Sequence, residues 1–284
     1  MAITAKEKSY LSEMAYKIRV ETLKMLNKAE SGHPGGSLSM ADILSSLYFK
    51  HMNIDPENGE DPDRDRLVLS KGHGVPGLYS VLALKGFFPL DELQTLRDIN
   101  SRLQGHPDRK GTPGIEMTTG SLGQGLSAAN GMALAAKMDG RDYNVYCILG
   151  DGEIQEGQIW EAAMTASHYK IDNLIGILDY NGLQIDGKVE DIMDPGPVSD
   201  KWRAFGWYVI ETDGHDLEKF NAAIEEAKGV KDQPVMIVAD TVKGKGVSYM
   251  ENVVDWHGKA PGDEELEQAL EELEQGLAGT RGEE

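Results

Sequence analysis

Seven histidines are spread along the chain, and four of them stand in loops beside glycine or proline: Ser31-Gly32-His33-Pro34, Lys71-Gly72-His73-Gly74, Gln104-Gly105-His106-Pro107 and Trp256-His257-Gly258. Glycine lets a backbone approach a ligand closely. An imidazole near neutral pH can hold a phosphate, bind a sugar hydroxyl or pass a proton. Four histidines in such settings mark a site, whereas His51, His168 and His215 lack the setting and read as structural or surface residues. Zinc is the competing chemistry. Neither His-x-x-x-His nor His-Glu-x-x-His occurs, and the single cysteine, Cys147, cannot build a Cys-rich module.

A second constellation is Gly150-Asp151-Gly152, directly after the apolar run Val145–Leu149. Ligands of parallel α/β sheets gather at the carboxyl ends of strands. The two glycines allow a sharp turn and a close phosphate, Asp151 offers a hard oxygen, and a helix from Gln155 to Tyr169 presents an anion-favouring N-terminus. By itself this is also an ordinary strand-to-helix turn. The next strand, Leu174–Leu178, brings Asn181 in Asp179-Tyr180-Asn181-Gly182-Leu183 to the same edge. An aspartate, an amide oxygen and a backbone carbonyl leave room for phosphate oxygens and water around an octahedral Mg²⁺.

Two other glycine-rich elements differ in meaning. Gly72-His73-Gly74-Val75-Pro76-Gly77 matches G-x-G-x-x-G, but a dinucleotide site needs a second strand ending in an acid. Here a helix near 77–86 runs into Phe87-Phe88-Pro89 and a further helix near 90–98, so a dinucleotide fold is not expected. Thr118-Thr119-Gly120-Ser121-Leu122-Gly123-Gln124-Gly125 leads into a helix over 123–138. Its small residues either admit a flat ring or pack the helix start tightly.

The elements that must position these residues alternate. Apolar groups at Leu11, Met14, Ala15, Ile18, Leu23, Met25 and Leu26 follow a helical face over 6–29, and a second helix is expected from Ser39 to Lys50. Strands are expected at Leu67–Leu69, Val145–Leu149, Leu174–Leu178, Trp207–Ile210 and Val235–Ala239, with helices at 156–169 and 216–228 between them. That order predicts an α/β fold, a parallel sheet flanked by helices. No linker or repeat divides the chain, so one domain is expected over 1–262. The segment 263–284 holds nine acids against Arg281, its first half an amphipathic helix and its last few residues a frayed end.

Composition narrows the partners. Of 284 residues 40% are apolar, enough for a large core, and the formal net charge is −20. Nucleic acid and anionic membranes need a basic face, so neither is an expected partner. Cys147 lies within an apolar run and reads as a buried core thiol. No apolar run approaches the ~18 residues of a membrane span, and Met1–Val20 has no apolar signal core, so a cytoplasmic protein is expected.

Together these motifs, with Gln155-Glu156-Gly157, Asn181-Gly182 and His257-Gly258, resemble transketolase in order and spacing over residues 6–262. The resemblance implies a thiamine diphosphate-binding fold of the kind that grips the diphosphate. It implies that Asp151, Asn181 and the carbonyl of Leu183 ligate Mg²⁺ or Ca²⁺, and that Gly152, His73 and His257 hold the diphosphate. Gly120, Ser121 and Leu122 would contact the aminopyrimidine side of the cofactor. His33 and His257 would act on the sugar's hydroxyls and oxyanion, His106 would bind the donor's terminal hydroxyl, and Glu156 would couple cofactor sites across a dimer. Tyr180 stands where many relatives carry Asn or Asp before the metal-binding Asn. A full-length transketolase is more than twice as long, so the expectation is the N-terminal subunit of a split enzyme. A second chain, in two copies of each, would supply the pyrimidine-binding and C-terminal domains. The implied reaction is transfer of a two-carbon ketol unit between sugar phosphates. Three alternatives stand beside it: part of a deoxyxylulose-phosphate synthase-like enzyme, part of a transketolase for sulfosugar or apulose phosphate, or a non-catalytic scaffold subunit.

Overall fold

Apolar strands buried on both faces need helices on both sides, and the chain meets that need in a simple order. The computed structural model describes residues 3–282. It runs α1 (Ala5–Ala29), α2 (Gly35–Ser39), α3 (Ala41–Ser46), β1 (Arg66–Leu69), α4 (Val75–Lys85), α5 (Gln124–Asp139), β2 (Val145–Gly150), α6 (Gly157–His168) and β3 (Leu174–Tyr180). A small hairpin, β4 (Leu183–Gln184) and β5 (Gly187–Lys188), precedes α7 (Val189–Met193), α8 (Val198–Ala204), β6 (Tyr208–Asp213), α9 (Leu217–Gly229), β7 (Val235–Asp240) and α10 (Asp263–Gly282). The main sheet has the order β1-β2-β3-β7-β6 and every pairing is parallel. Its register sets Gly150 beside Asp179 and Tyr180 beside Asp240, so three strands end at one level.

The period of two sorts the strand side chains into two cores. Tyr146, Ile148, Ile175, Ile177 and Ile237 face α1, α3, α4 and α9. Val145, Leu149, Leu174, Leu178 and the fully buried thiol of Cys147 face α5, α6 and α8. The acidic helix α10 is not detached: Ala269 and Leu273 are buried with Val20 and Leu23 of α1.

Several boundaries differ from the sequence expectation. The single helix expected over 39–50 is broken at Met40 (φ −93°, ψ 7°) and ends in a widened turn, Leu47–His51, closed by Met52 N–H to the Leu47 carbonyl at 2.8 Å. Ser39 explains the break, because its hydroxyl is drawn to Gly36 O and to Asp179. The helix near 90–98 is only a tight turn over Leu90–Thr95. The edge strand β6 continues to Asp213, its outer half polar and partly exposed, as an edge permits. The helix α10 extends to Gly282, well past the first half of the acidic segment, and the final Glu283 and Glu284 lie outside the described residues. After Gly72–Gly77 the next strand is β2, beginning only at Val145, so no dinucleotide-type unit forms. No helix among the described residues is long and apolar enough to cross a membrane.

Helix α5 contains two glycines in opposite circumstances. A Cβ at Gly125 would meet Ser70 Oγ, Cβ and Cα at 2.4–2.6 Å, whereas one at Gly131 would meet nothing within 4 Å. Gly125→Ala is therefore expected to destabilise the chain by about 1–3 kcal/mol through overpacking. Gly131→Ala is expected to stabilise it by about 0.5–1 kcal/mol by removing glycine's backbone entropy. Urea melts of the two variants against the parent check the opposite signs.

Candidate functional site

Four strands end at the same edge and deliver what lies beyond it: Ser70 to Gly74 after β1, Asp151 and Gly152 after β2, Asn181 after β3, and Thr241 to Lys243 after β7. Their convergence rests on one buried ion pair. Lys71 and Asp179 meet with side chains 2% and 0% exposed. Asp179 also accepts from Ser39 Oγ (2.6 Å), Thr241 Oγ1 and Asn181 Nδ2 (3.3 Å), while Lys71 donates to Gly36 O (3.0 Å). Burial opposes ionisation of Asp179, but the Lys71 ammonium and these donors hold its carboxyl below the usual range. Glu153 performs a similar service beside it. It accepts from Ser70 Oγ (2.5 Å), Gly123 N (3.0 Å) and Gly150 N (3.1 Å), and so joins the ends of β1 and β2 to the start of α5.

Above this floor lies a cavity of about 350 Å³. His33, His73, His106, His257, Gly120, Leu122, Asp151, Gly152, Glu156, Asn181 and Leu183 all line it. Ser121 is exposed and does not. Gly120 needs its glycine: it has φ +138° and a Cβ there would lie 3.0 Å from the His106 ring. Of the other histidines, His51 is buried against Asn221 (2.7 Å), His215 links Asp42 to Val242 N (2.8 Å each), and His168 is exposed. None of the three lines the cavity.

One wall carries oxygens. Asp151 accepts from the amides of Gly152 (2.8 Å) and Gly182, yet burial and the nearby Asp179 charge push its carboxyl up to about 6. Asn181 Oδ1 accepts from Leu183 N at 3.2 Å, and the Leu183 carbonyl accepts from Lys243 Nζ at 2.9 Å. A buried carboxylate with two amides and no ion pair among the described residues gains from a cation beside it. Those residues contain no cluster of three or more His, Cys, Asp or Glu able to hold a metal. The donors are one carboxylate, one amide and one carbonyl, the hard oxygen set of Mg²⁺ or Ca²⁺.

The rest of the lining includes four imidazoles. Ring centroids lie 5.1 Å apart for His73 and His257, 5.4 Å for His33 and His73, 5.5 Å for His33 and His257, and 6.4 Å for His33 and His106. Burial, then the charges of Arg97, His106 and Lys243, bring His33 down to about 4. Burial, then Lys243, His33 and Lys71, bring His257 down to about 3. His73 is lowered strongly by burial and Lys71, and His106 by burial and Arg97. At neutral pH all four are uncharged, each with one donor and one acceptor nitrogen. Lys243 Nζ lies 2.7 Å from His257 Nδ1. The ammonium must donate there, so the His257 proton sits on Nε2.

Lys71, Glu153, Asp179 and Lys243 are the site residues that sequence reasoning missed. Lys71 stands immediately before Gly72-His73, Asp179 two residues before Asn181, and Lys243 follows the end of a strand within Lys243-Gly244-Lys245-Gly246. A charged residue just after a buried apolar strand was the available signal.

Comparison with known proteins bears on the family and the fold. Residues 11–277 match the family described as "Transketolase, thiamine diphosphate binding domain". The chain is 50% identical over 264 residues to the 6-deoxy-6-sulfo-D-fructose transketolase subunit SqwG of Clostridium sp. (strain MSTE9), covering 93% of this chain and 96% of that protein. It is 44% identical to an apulose-4-phosphate transketolase subunit from Phocaeicola vulgatus, covering 90% and 91%. The solved transketolase of Campylobacter jejuni superposes with a TM-score of 0.89 at 38% identity, over 93% of this chain but 43% of that one. The chain thus spans less than half of that solved protein.

Removing one partner of a fully buried ion pair leaves an uncompensated charge, which costs about 3–5 kcal/mol. Asp179→Ala and Lys71→Met are each expected to destabilise by about that much. The double variant Lys71→Met/Asp179→Leu is expected to recover only part of the loss, because Ser39, Thr241, Asn181 and the Gly36 carbonyl lose their buried partners, as measured by denaturant melts of all three.

Proposed function

The chain belongs to the transketolase family, and on that footing we propose that it is the diphosphate-gripping subunit of a two-chain enzyme. The enzyme moves a two-carbon ketol unit from a ketose phosphate to an aldose phosphate. The observation that carries the proposal is one cavity lined both by the oxygens of Asp151, Asn181 and Leu183 and by four histidines. The residues fit the cofactor named by the family. Gly152 keeps a place open that a Cβ would crowd against Gln184 at 3.2 Å, and a Cβ at Gly36 would stand in ordinary contact with Lys71 Nζ and His73 Nε2, at 3.7–3.8 Å.

In this proposal Asp151, Asn181 and the Leu183 carbonyl hold Mg²⁺ or Ca²⁺, while Gly152, His73 and His257 hold the diphosphate. Gly120, Ser121 and Leu122 meet the aminopyrimidine side, and Glu156 at the rim couples paired sites. Bound thiamine diphosphate supplies the carbanion chemistry that makes and breaks the carbon–carbon bond. The chain's own part is electrostatic. His257 presents its Nε2 proton to an oxygen that gains negative charge, because Lys243 occupies its other nitrogen. His33, neutral and with its Nδ1 buried and unpartnered, offers a hydrogen bond to a sugar hydroxyl. His106, nearer the mouth, meets the donor's terminal hydroxyl.

The partner is a C-terminal transketolase chain, with two copies of each chain in the complex. The relatives named as subunits support the division of labour. No nucleic acid or membrane enters this reading, and a lone buried thiol suits the cytoplasm. The relatives' substrates, a sulfosugar and apulose 4-phosphate, belong in the assay panel beside common ketose and aldose phosphates.

Asp151→Ala is expected to abolish metal-dependent binding of thiamine diphosphate, measured by calorimetry on the reconstituted complex. Unchanged affinity there would remove the metal assignment. His33→Ala and His257→Ala are expected to lower turnover by about 10²–10⁴-fold, with His168→Ala near the parent. The chain alone is expected to transfer no ketol unit, and thiamine diphosphate with Mg²⁺ to tighten its association with the partner by linkage. Light scattering and assays with and without the partner test this; full turnover by the lone chain would contradict it.

A further inference from the structure

Arg97 lies outside the cavity lining, yet it touches both the His33 loop and the His106 loop. The residue follows the short turn Leu90–Thr95 and has left-handed backbone (φ 66°). Its amide donates to Leu103 O at 2.9 Å, which closes the loop that leads to His106. The guanidinium donates from Nη1 to Ser31 Oγ at 2.8 Å, two residues before His33. It also lies flush on Gly105, immediately before His106: a Cβ at that glycine would sit 2.7–2.9 Å from Nη2, Cζ and Nε. Among the described residues Arg97 forms no ion pair with a carboxylate, in a chain whose net charge is −20. An arginine held in place and unpaired amid such an acidic excess has a use other than neutralising a neighbour.

We propose that Arg97, an exposed residue, is a positioning residue for the sugar-facing wall, its guanidinium clamping the His106 loop to the His33 loop and standing as a positive charge beside the two imidazoles. The proposal rests on His33 and His106 facing the sugar. Arginine suits the task because its planar fork can hydrogen-bond Ser31 and lie on Gly105 at once, which a lysine cannot do. His33 is also faced by His73, His106, His257 and Lys243, and His106 by His33. Arg97 acts on both, and its charge adds to burial in disfavouring their protonation. Neutral rings keep one acceptor each for sugar hydroxyls, and the charge attracts an anionic sugar to the mouth.

The test uses the full chain and the complex. In the free chain, side-chain NMR titration follows His33 and His106, with His51 as the internal control. Arg97→Gln is expected to make His33 and His106 titrate about half a pH unit or more higher, since a facing positive charge is gone, and to leave His51 unchanged. Gly105→Ala keeps the arginine but displaces its guanidinium, a flexible tip that moves cheaply, and is expected to shift the same two histidines in the same direction. In the reconstituted complex both variants are expected to lose about 10-fold or more in kcat/KM, mainly through KM. Arg97→Lys is expected to restore the titrations more than the turnover. Unshifted histidines in Arg97→Gln overturn the proposal, as does parental kcat/KM in Arg97→Gln or Gly105→Ala. If the parental complex transfers no ketol unit, the proposed function fails while the titrations still decide whether the clamp exists.

Discussion

A lysine and an aspartate, buried together at the carboxyl edge of the sheet, hold the site in register. Lys71 follows β1, Asp179 lies in β3, and β2 runs between them. Two charges out of water cost several kcal/mol each unless they are paired and their remaining hydrogen-bonding capacity is used. Here Ser39, Thr241, Asn181 and the Gly36 carbonyl use it. These partners come from the α2 segment, the end of β3 and the segment after β7. The requirement to satisfy one ion pair therefore draws α2, β1, β3 and the segment after β7 to a common point, and the ligand-facing residues ride on those same loops.

The floor also sets the electrostatics above it. Lys71 and Lys243 place positive charge beneath a cavity in a strongly acidic chain. That charge disfavours protonation of His73 and His257, and Lys243 further selects which nitrogen of His257 carries the proton. The same field faces Asp151, whose carboxyl is otherwise raised by burial and by Asp179. One wall is thus suited to a cation bound by oxygens and the other to neutral hydrogen bonds.

Close approach is the second constraint. At Gly72 a Cβ would strike Gly120 N and Thr119 Oγ1 at 2.6–2.7 Å, and at Gly125 it would strike Ser70. These contacts bring the loop after β1 against the loop before α5, with Thr119 Oγ1 donating to Leu69 O at 2.7 Å. Glu153 then locks the junction. Glycines that look like flexible punctuation in the sequence are, in the folded chain, places where two backbones touch.

Local pattern was enough for the architecture. Alternating apolar runs and helical faces specify a parallel α/β sheet because periods of 2 and 3.6 are written in neighbouring residues, and a glycine beside a histidine marks a loop wherever it occurs. The four loop histidines, Gly150-Asp151-Gly152 and Asn181 could be named for the same reason. Tertiary structure decided the rest. It broke the helix expected over 39–50, because Ser39 is claimed by a carboxylate 140 residues away. It made partners of Lys71 and Asp179, 108 residues apart, and of Lys243 and His257 across a loop. It also separated His33, His73, His106 and His257, which share a cavity, from His51 and His215, which tie the core together. Long-range pairs, burial and the proton affinities that follow from them depend on what the rest of the chain places nearby, and no window of sequence contains that information.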